Sequence, residues 1–211
     1  MDVKNNMANR IALYCKQAGE PPTPVTARIE WLPDGTIKPL MYWMPDGSCF
    51  RVKLTHECTP IALLKDRGEG LRFKVRAELI ETPEYDGGLL CAQQETYLYL
   101  ADNRFCGKNF IDARYGHAGK EYISVTLDIL PDNEYEIIYF RVQGARYMVE
   151  KTRRIEPRAS FRAGGVGICH IVEARQINND DDEDFDPSKN SRRTAALFFE
   201  VNKWFVASEA L

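Results

Sequence analysis

No apolar run in the chain approaches the roughly 20 residues a helix needs to cross a bilayer. Residues 1–24 hold no apolar stretch of signal-peptide length. A cytoplasmic protein without membrane contact is expected. The six cysteines, at 15, 49, 58, 91, 106 and 169, include no C-x-x-C pair and form no dense framework. In a chain of this size that favours reduced thiols over disulfides. The net charge of −3 argues against coating DNA by bulk charge and leaves room for a local basic patch.

What is present is a chain of 211 residues, 44% hydrophobic, enough for one large packed domain or two small ones. Its most informative property is internal similarity. Residues 33–79 run parallel to residues 131–175, and from Phe50 onward the offset is constant. Phe50 and Tyr147, Pro60 and Pro157, Ala62 and Ala159, Gly68 and Gly165, Gly70 and Gly167 all lie 97 apart. Downstream, YLYLADNRFCG from Tyr97 matches ALFFEVNKWFVA from Ala196, with Asn103-Arg104-Phe105 over Asn202-Lys203-Trp204. The expected organisation is an N-terminal segment 1–24, a first module 25–107, a linker 108–121 and a second module 122–211.

Alternation within each module predicts strands. Leu71, Phe73, Val75, Ala77 and Leu79 take every second place between Arg72, Lys74, Arg76 and Glu78, the period of a strand with one buried face. Phe50, Val52 and Leu54 alternate with Arg51, Lys53 and Thr55 in the same way. Pro-Asp-Gly at 33–35 and at 45–47 supplies turns. The fold class expected is all-β: two tandem antiparallel barrels or rolls of about six short strands each. In the first module the strands fall near 26–31, 37–44, 49–55, 70–80, 94–100 and 103–107. Met7, Ile11, Tyr14 and Cys15 stand at helical spacing with Gly19 as a stop. They predict a short N-terminal helix, followed by a Pro-rich connector.

The run RAGGVGICHIVEARQ, residues 162–176, raises the question of a phosphate cradle. Such loops work because a helix starts at the glycines and aims its free N–H groups at the anion. Here a strand pattern follows in both modules. The last glycine of G-x-G-x-x-G is missing, as is any Gly-Lys-Ser/Thr, so a structural turn is expected.

RIEPRASFRAGG, a strand, and then a segment ending ALFFEVNKWFV resemble a family of short, uncharacterised bacterial proteins built from a single small β module. That resemblance implies a tandem duplication of the module and no particular activity. The chain departs from the family's pattern in two insertions, 81–94 and 178–193.

The long strand differs between the modules. Leu71-Arg72-Phe73-Lys74-Val75-Arg76 becomes Ile168-Cys169-His170-Ile171-Val172-Glu173. With Leu98 and Leu100 inward, Tyr97 and Tyr99 point outward beside Arg72, Lys74 and Arg76, with Arg51 and Lys53 one strand further on. Cations interleaved with rings suit an anionic partner, either nucleic acid or an acidic protein segment. The competing reading is a solvated face whose tyrosines pack along lysine stems. In the second module the same face, with Cys169, Ile171 and Phe198, is apolar, which predicts an interface within the chain or a homodimer.

Other candidates carry less. Asp180 to Asp186 imitates calcium chemistry, but an EF-hand loop needs Gly sixth and Glu twelfth, where this loop has Phe185 and Ser191. His56, Cys58, Cys49 and His117 would have to converge for zinc, and alternation parts them. No metal or other cofactor is expected, and His170 reads as a core histidine. No nucleophile, base and orienter can be assembled, which favours a non-catalytic interaction module. The alternative is a small hydrolase with its site in a cleft between the modules.

Overall fold

The computed structural model describes residues 11–16, 23–62, 69–82, 93–102, 120–131, 134–159, 166–177, 192–200 and 203–207. Every regular element among these is a strand: β1 (Ile11–Lys16), β2 (Thr23–Trp31), β3 (Ile37–Trp43), β4 (Cys49–Ala62), β5 (Glu69–Glu81), β6 (Gln93–Asp102), β7 (Lys120–Ile129), β8 (Tyr135–Val142), β9 (Ala145–Ala159), β10 (Val166–Ile177), β11 (Arg192–Glu200) and β12 (Lys203–Ala207). The all-β class stands.

Strands β1 to β6 form a six-stranded barrel. Their order is β1-β6-β5-β4-β3-β2, and β1 pairs back onto β2, leaving no edge. Strands β7 to β12 follow the order β7-β12-β11-β10-β9-β8, with β7 also pairing β8. The chain divides into two compact units. The first comprises Met1–Ile29, Lys38–Lys108 and Asp128–Glu136; the second comprises Glu30–Ile37, Asn109–Leu127 and Ile137–Leu211.

Alternation builds the first unit's interior. Val25, Ala27 and Ile29 of β2, Phe73, Val75 and Ala77 of β5, and Leu98 and Leu100 of β6 are all buried. Tyr42 of β3 stacks on Phe50 of β4, ring centroids 4.9 Å apart and 7° from parallel. The second unit is filled from β7, β10, β11 and β12, with Trp204 and His170 buried and their rings 5.3 Å apart. There Phe140 stacks on Tyr147 at 5.0 Å and 9°.

β4 runs well past the expected end near 55, because two β-bulges reset its parity. Against β5, Val52 faces Ala77 and Leu54 faces Arg76, so Lys53 is the extra residue; between Thr55 and Glu57 the extra residue is His56. In β9 the ladder against β10 skips Glu150 and Arg153 in the same manner. Each of these lies 97 residues after its counterpart in β4.

The turns follow their glycines. Gly35 and Gly47 have φ of 91° and 89°, and their N–H groups donate to Leu32 and Met44 carbonyls. Asp34 and Asp46 accept hydrogen bonds from the N–H groups of Thr36 and Ser48, both at 2.8 Å. Between β8 and β9, Gln143 (φ 50°) and Gly144 (φ 80°) are both left-handed, as a tight two-residue hairpin turn requires. Glu121 of β7 secures it, accepting from Gln143 N and Nε2, each at 3.0 Å.

One expectation is overturned. Residues 11–16 form β1, antiparallel to both β6 and β2, in place of a helix. Ile11, Leu13 and Cys15 fit a period of two as well as Ile11, Tyr14 and Cys15 fit a helical stripe. The choice is made by the barrel: without β1, the facing edges of β6 and β2 would leave their N–H and C=O groups unpaired. Cys15 is buried, its Sγ 3.4 Å from Thr96 Oγ1, and that hydroxyl donates to the Lys16 carbonyl at 3.2 Å. The strand expected at 103–107 and the glycines at 164 and 165 lie outside the described residues.

Candidate functional site

The barrel's outer face over β4, β5, β6 and β1 gathers the basic and aromatic residues of the first unit. Buried Phe73, Val75 and Ala77 force Arg72, Lys74, Arg76 and Glu78 outward, and buried Leu98 and Leu100 do the same for Tyr97 and Tyr99. Register then fixes neighbours in rows. Thr59, Arg72 and Tyr99 share one row; Glu57, Lys74, Tyr97 and Lys16 the next; Leu54, Arg76 and Glu95 the next; and Arg51, Glu78 and Gln93 the last. Lys53, looped out by its bulge, reaches Glu78 at 2.7 Å.

All seven residues singled out from sequence meet on this face: Arg51, Lys53, Arg72, Lys74, Arg76, Tyr97 and Tyr99. The acids interleaved with them were missed. Arg76 Nη2 donates to Glu95 Oε1 at 3.4 Å, Lys74 Nζ lies 3.6 Å from Oε2, and His56 Nε2 lies 3.7 Å from Oε1. Arg72 lies 3.8 Å from Glu57. The Arg76 hydrogen bond, with the Lys74 charge behind it, holds the Glu95 carboxyl below its ordinary value of 4.5. Among the described residues of these rows, with Lys53 of the bulge, six cations (Lys16, Arg51, Lys53, Arg72, Lys74, Arg76) stand against three carboxylates (Glu57, Glu78, Glu95).

The rings lie among these charges. Tyr97 is 37% exposed, its centroid is 6.5 Å from that of Tyr99, and the Arg72 guanidinium sits 5.6 Å above it. Glu95 could have been read from the β6 pattern, two places before Tyr97. Lys16 could not, because its segment carried a helical spacing.

The corresponding face of the second unit is divided. At one end β9, β10, β11, β12 and β7 align Glu156, Cys169, Phe198, Phe205 and Tyr122. Phe198 and Phe205 stack at 5.1 Å, Tyr122 meets Phe205 edge-on at 6.4 Å, and Lys203 Nζ stands 5.1 Å over the Tyr122 ring. Cys169 is fully buried, whereas Ile171 and Phe198 are half-buried. The face is apolar only to Ile171. Beyond it Arg175 and Arg192 converge on Glu150 at 3.2 and 2.8 Å, and Arg153 pairs with Glu173.

Cysteine chemistry has little support at the two thiols of β4. Burial pushes the Cys49 and Cys58 thiols up, away from thiolate. Among the described residues no three His, Cys, Asp or Glu side chains gather as a metal site would require. No family model, curated protein or solved structure matches the chain.

Proposed function

We propose that the chain is a non-catalytic cytoplasmic interaction module, made of two copies of one β module, whose outer face over β4, β5, β6 and β1 binds an anionic partner. Duplication is supported by spacing. The paired bulges at Lys53 and His56 and at Glu150 and Arg153 fall at the same offset as the sequence similarity, and the Tyr42–Phe50 and Phe140–Tyr147 stacks occupy like places.

One observation carries the binding reading. In a chain of net charge −3, this face sets six cations against three carboxylates around two outward tyrosines. Apart from Lys53–Glu78, whose carboxylate is half-buried, the Lys and Arg ion pairs are exposed, so water and salt already compete for them and an incoming anion displaces them at small cost.

The test is fluorescence anisotropy at low salt with labelled polyanions. Association that weakens with added salt, and that is abolished by Arg72→Glu with Lys74→Glu, supports the reading. No association, or association indifferent to that double reversal, refutes it.

A further inference from the structure

Resting on the anion-binding reading, we infer that the ligand of this face is a single strand of nucleic acid, taken without sequence preference. Consecutive bases lie on Tyr97 and Tyr99, and phosphates run along Lys74 and Arg72 on β5, with Lys16 on the far side of Tyr97. Register puts these groups side by side. Tyr97 stands between Lys16 on β1 and Lys74 on β5, and Tyr99 stands beside Arg72.

Two outward rings at alternate places of one strand suit a single strand of nucleic acid. The Tyr97 and Tyr99 centroids are 6.5 Å apart, close to twice the roughly 3.4 Å axial spacing along one strand of a stacked helix. Successive bases of an extended strand, unstacked from each other, therefore reach successive rings. The Arg72 guanidinium, 5.6 Å over the Tyr97 ring, swings off that face to admit a base and then donates to phosphate. Every base has a π-face, so stacking of this kind is tolerant of sequence.

Other polyanions use only part of this surface. An acidic peptide meets the cations but brings no flat face to the rings. A duplex keeps its bases stacked inside and leaves both tyrosines idle. Glu57 does not block the track, because its contact with Arg72 is long, at 3.8 Å, and exposed. Glu95 lies one row beyond Tyr97 and restrains Lys74 of the track through an exposed contact of 3.6 Å, which an incoming phosphate displaces.

The experiment measures anisotropy of the full chain with four probes: a mixed-sequence single-stranded DNA of about 12 nucleotides, its duplex, polyglutamate and inorganic polyphosphate. The single strand is expected to bind tightest. Tyr97→Ala with Tyr99→Ala should weaken it about tenfold per ring and leave polyphosphate unchanged, whereas the two Tyr→Phe changes retain binding. Arg72→Gln with Lys74→Gln should flatten the salt dependence, log K against log salt, by about 1.4. Thermal melts report folding; should the alanine pair unfold, a Tyr→Leu pair, apolar but without a π-face, decides. Unchanged single-strand affinity in the ring-less variants, or tighter binding of duplex or polyglutamate, overturns the inference and leaves the anion-binding reading intact. No binding of any probe overturns both.

Discussion

Arg76 and Glu95 face each other across β5 and β6, the guanidinium donating to the carboxylate at 3.4 Å. Lys74 and His56 approach the same carboxylate, so one acid restrains three potential cations. Replacing it isolates its effect from the fold, since the side chain is exposed.

Glu95→Gln is therefore expected to raise affinity for a polyanion by about fivefold and to steepen its salt dependence. Acid should act in the same direction. The carboxyl is held below 4.5, so its ion-pair contribution to stability is fully present above that value and is lost as pH falls through the lower, folded value. Anisotropy titrations at several pH values check both statements. Equal affinities for the two proteins would remove Glu95 from the account.

In the first unit Arg28 and Asp128 form a two-pronged pair, Nε to Oδ1 and Nη2 to Oδ2, both 2.7 Å, with the guanidinium 5.7 Å from the Trp43 ring centre. Asp128→Ala is expected to cost about 1–3 kcal/mol in urea unfolding. Arg28→Lys should recover only part of the pairing, because an ammonium cannot match both oxygens and stack on the indole. A double-mutant cycle with zero coupling would show the pair to be idle.

β1 is tied to β6 through Thr96, whose hydroxyl contacts Cys15 and donates to the Lys16 carbonyl. Thr96→Val keeps the shape and removes the bond, at an expected cost of about 1 kcal/mol. Amide exchange should accelerate most over residues 11–16. Uniform acceleration over the whole chain would mean that β1 does not open by itself.

The Gln143-Gly144 turn separates backbone cost from packing cost. A Cβ at Gly144 would meet nothing within 4 Å. Gly144→Ala should therefore lose about 1–2 kcal/mol through its positive φ alone, and Gly144→Asn distinctly less. Glu121→Ala, which releases both Gln143 contacts, should destabilise the same turn. Thermal unfolding orders the three variants.

Much of this was legible in the residues, for reasons that differ from strand to strand. β5 alternates without interruption, so Phe73, Val75 and Ala77 could be turned inward and Arg72, Lys74 and Arg76 outward from spacing alone. β4 could not be followed past Thr55, because a bulge adds a residue without leaving a compositional mark and reverses every later side chain. β1 was misread because six residues are too few to separate a period of two from one of 3.6, and the deciding contacts lie more than 80 positions away on β6. The cations and rings of the candidate face were found as a set. Their acidic partners were not, since Glu57 follows the second bulge and opposite charges adjoin only once register is known.

Each ring closes where its first strand pairs its last, β1 with β6 and β7 with β12. During synthesis the first can seal as soon as Asp102 has left the ribosome. The second must wait for Ala207, about 5–20 s later at ordinary elongation rates. Until Lys203–Ala207 follows Glu200 out of the ribosome, the edge of β11 that β12 will cover stays unpaired on a nascent chain whose leading half is already shut. The later half is accordingly the one exposed to mispairing with neighbouring polypeptides.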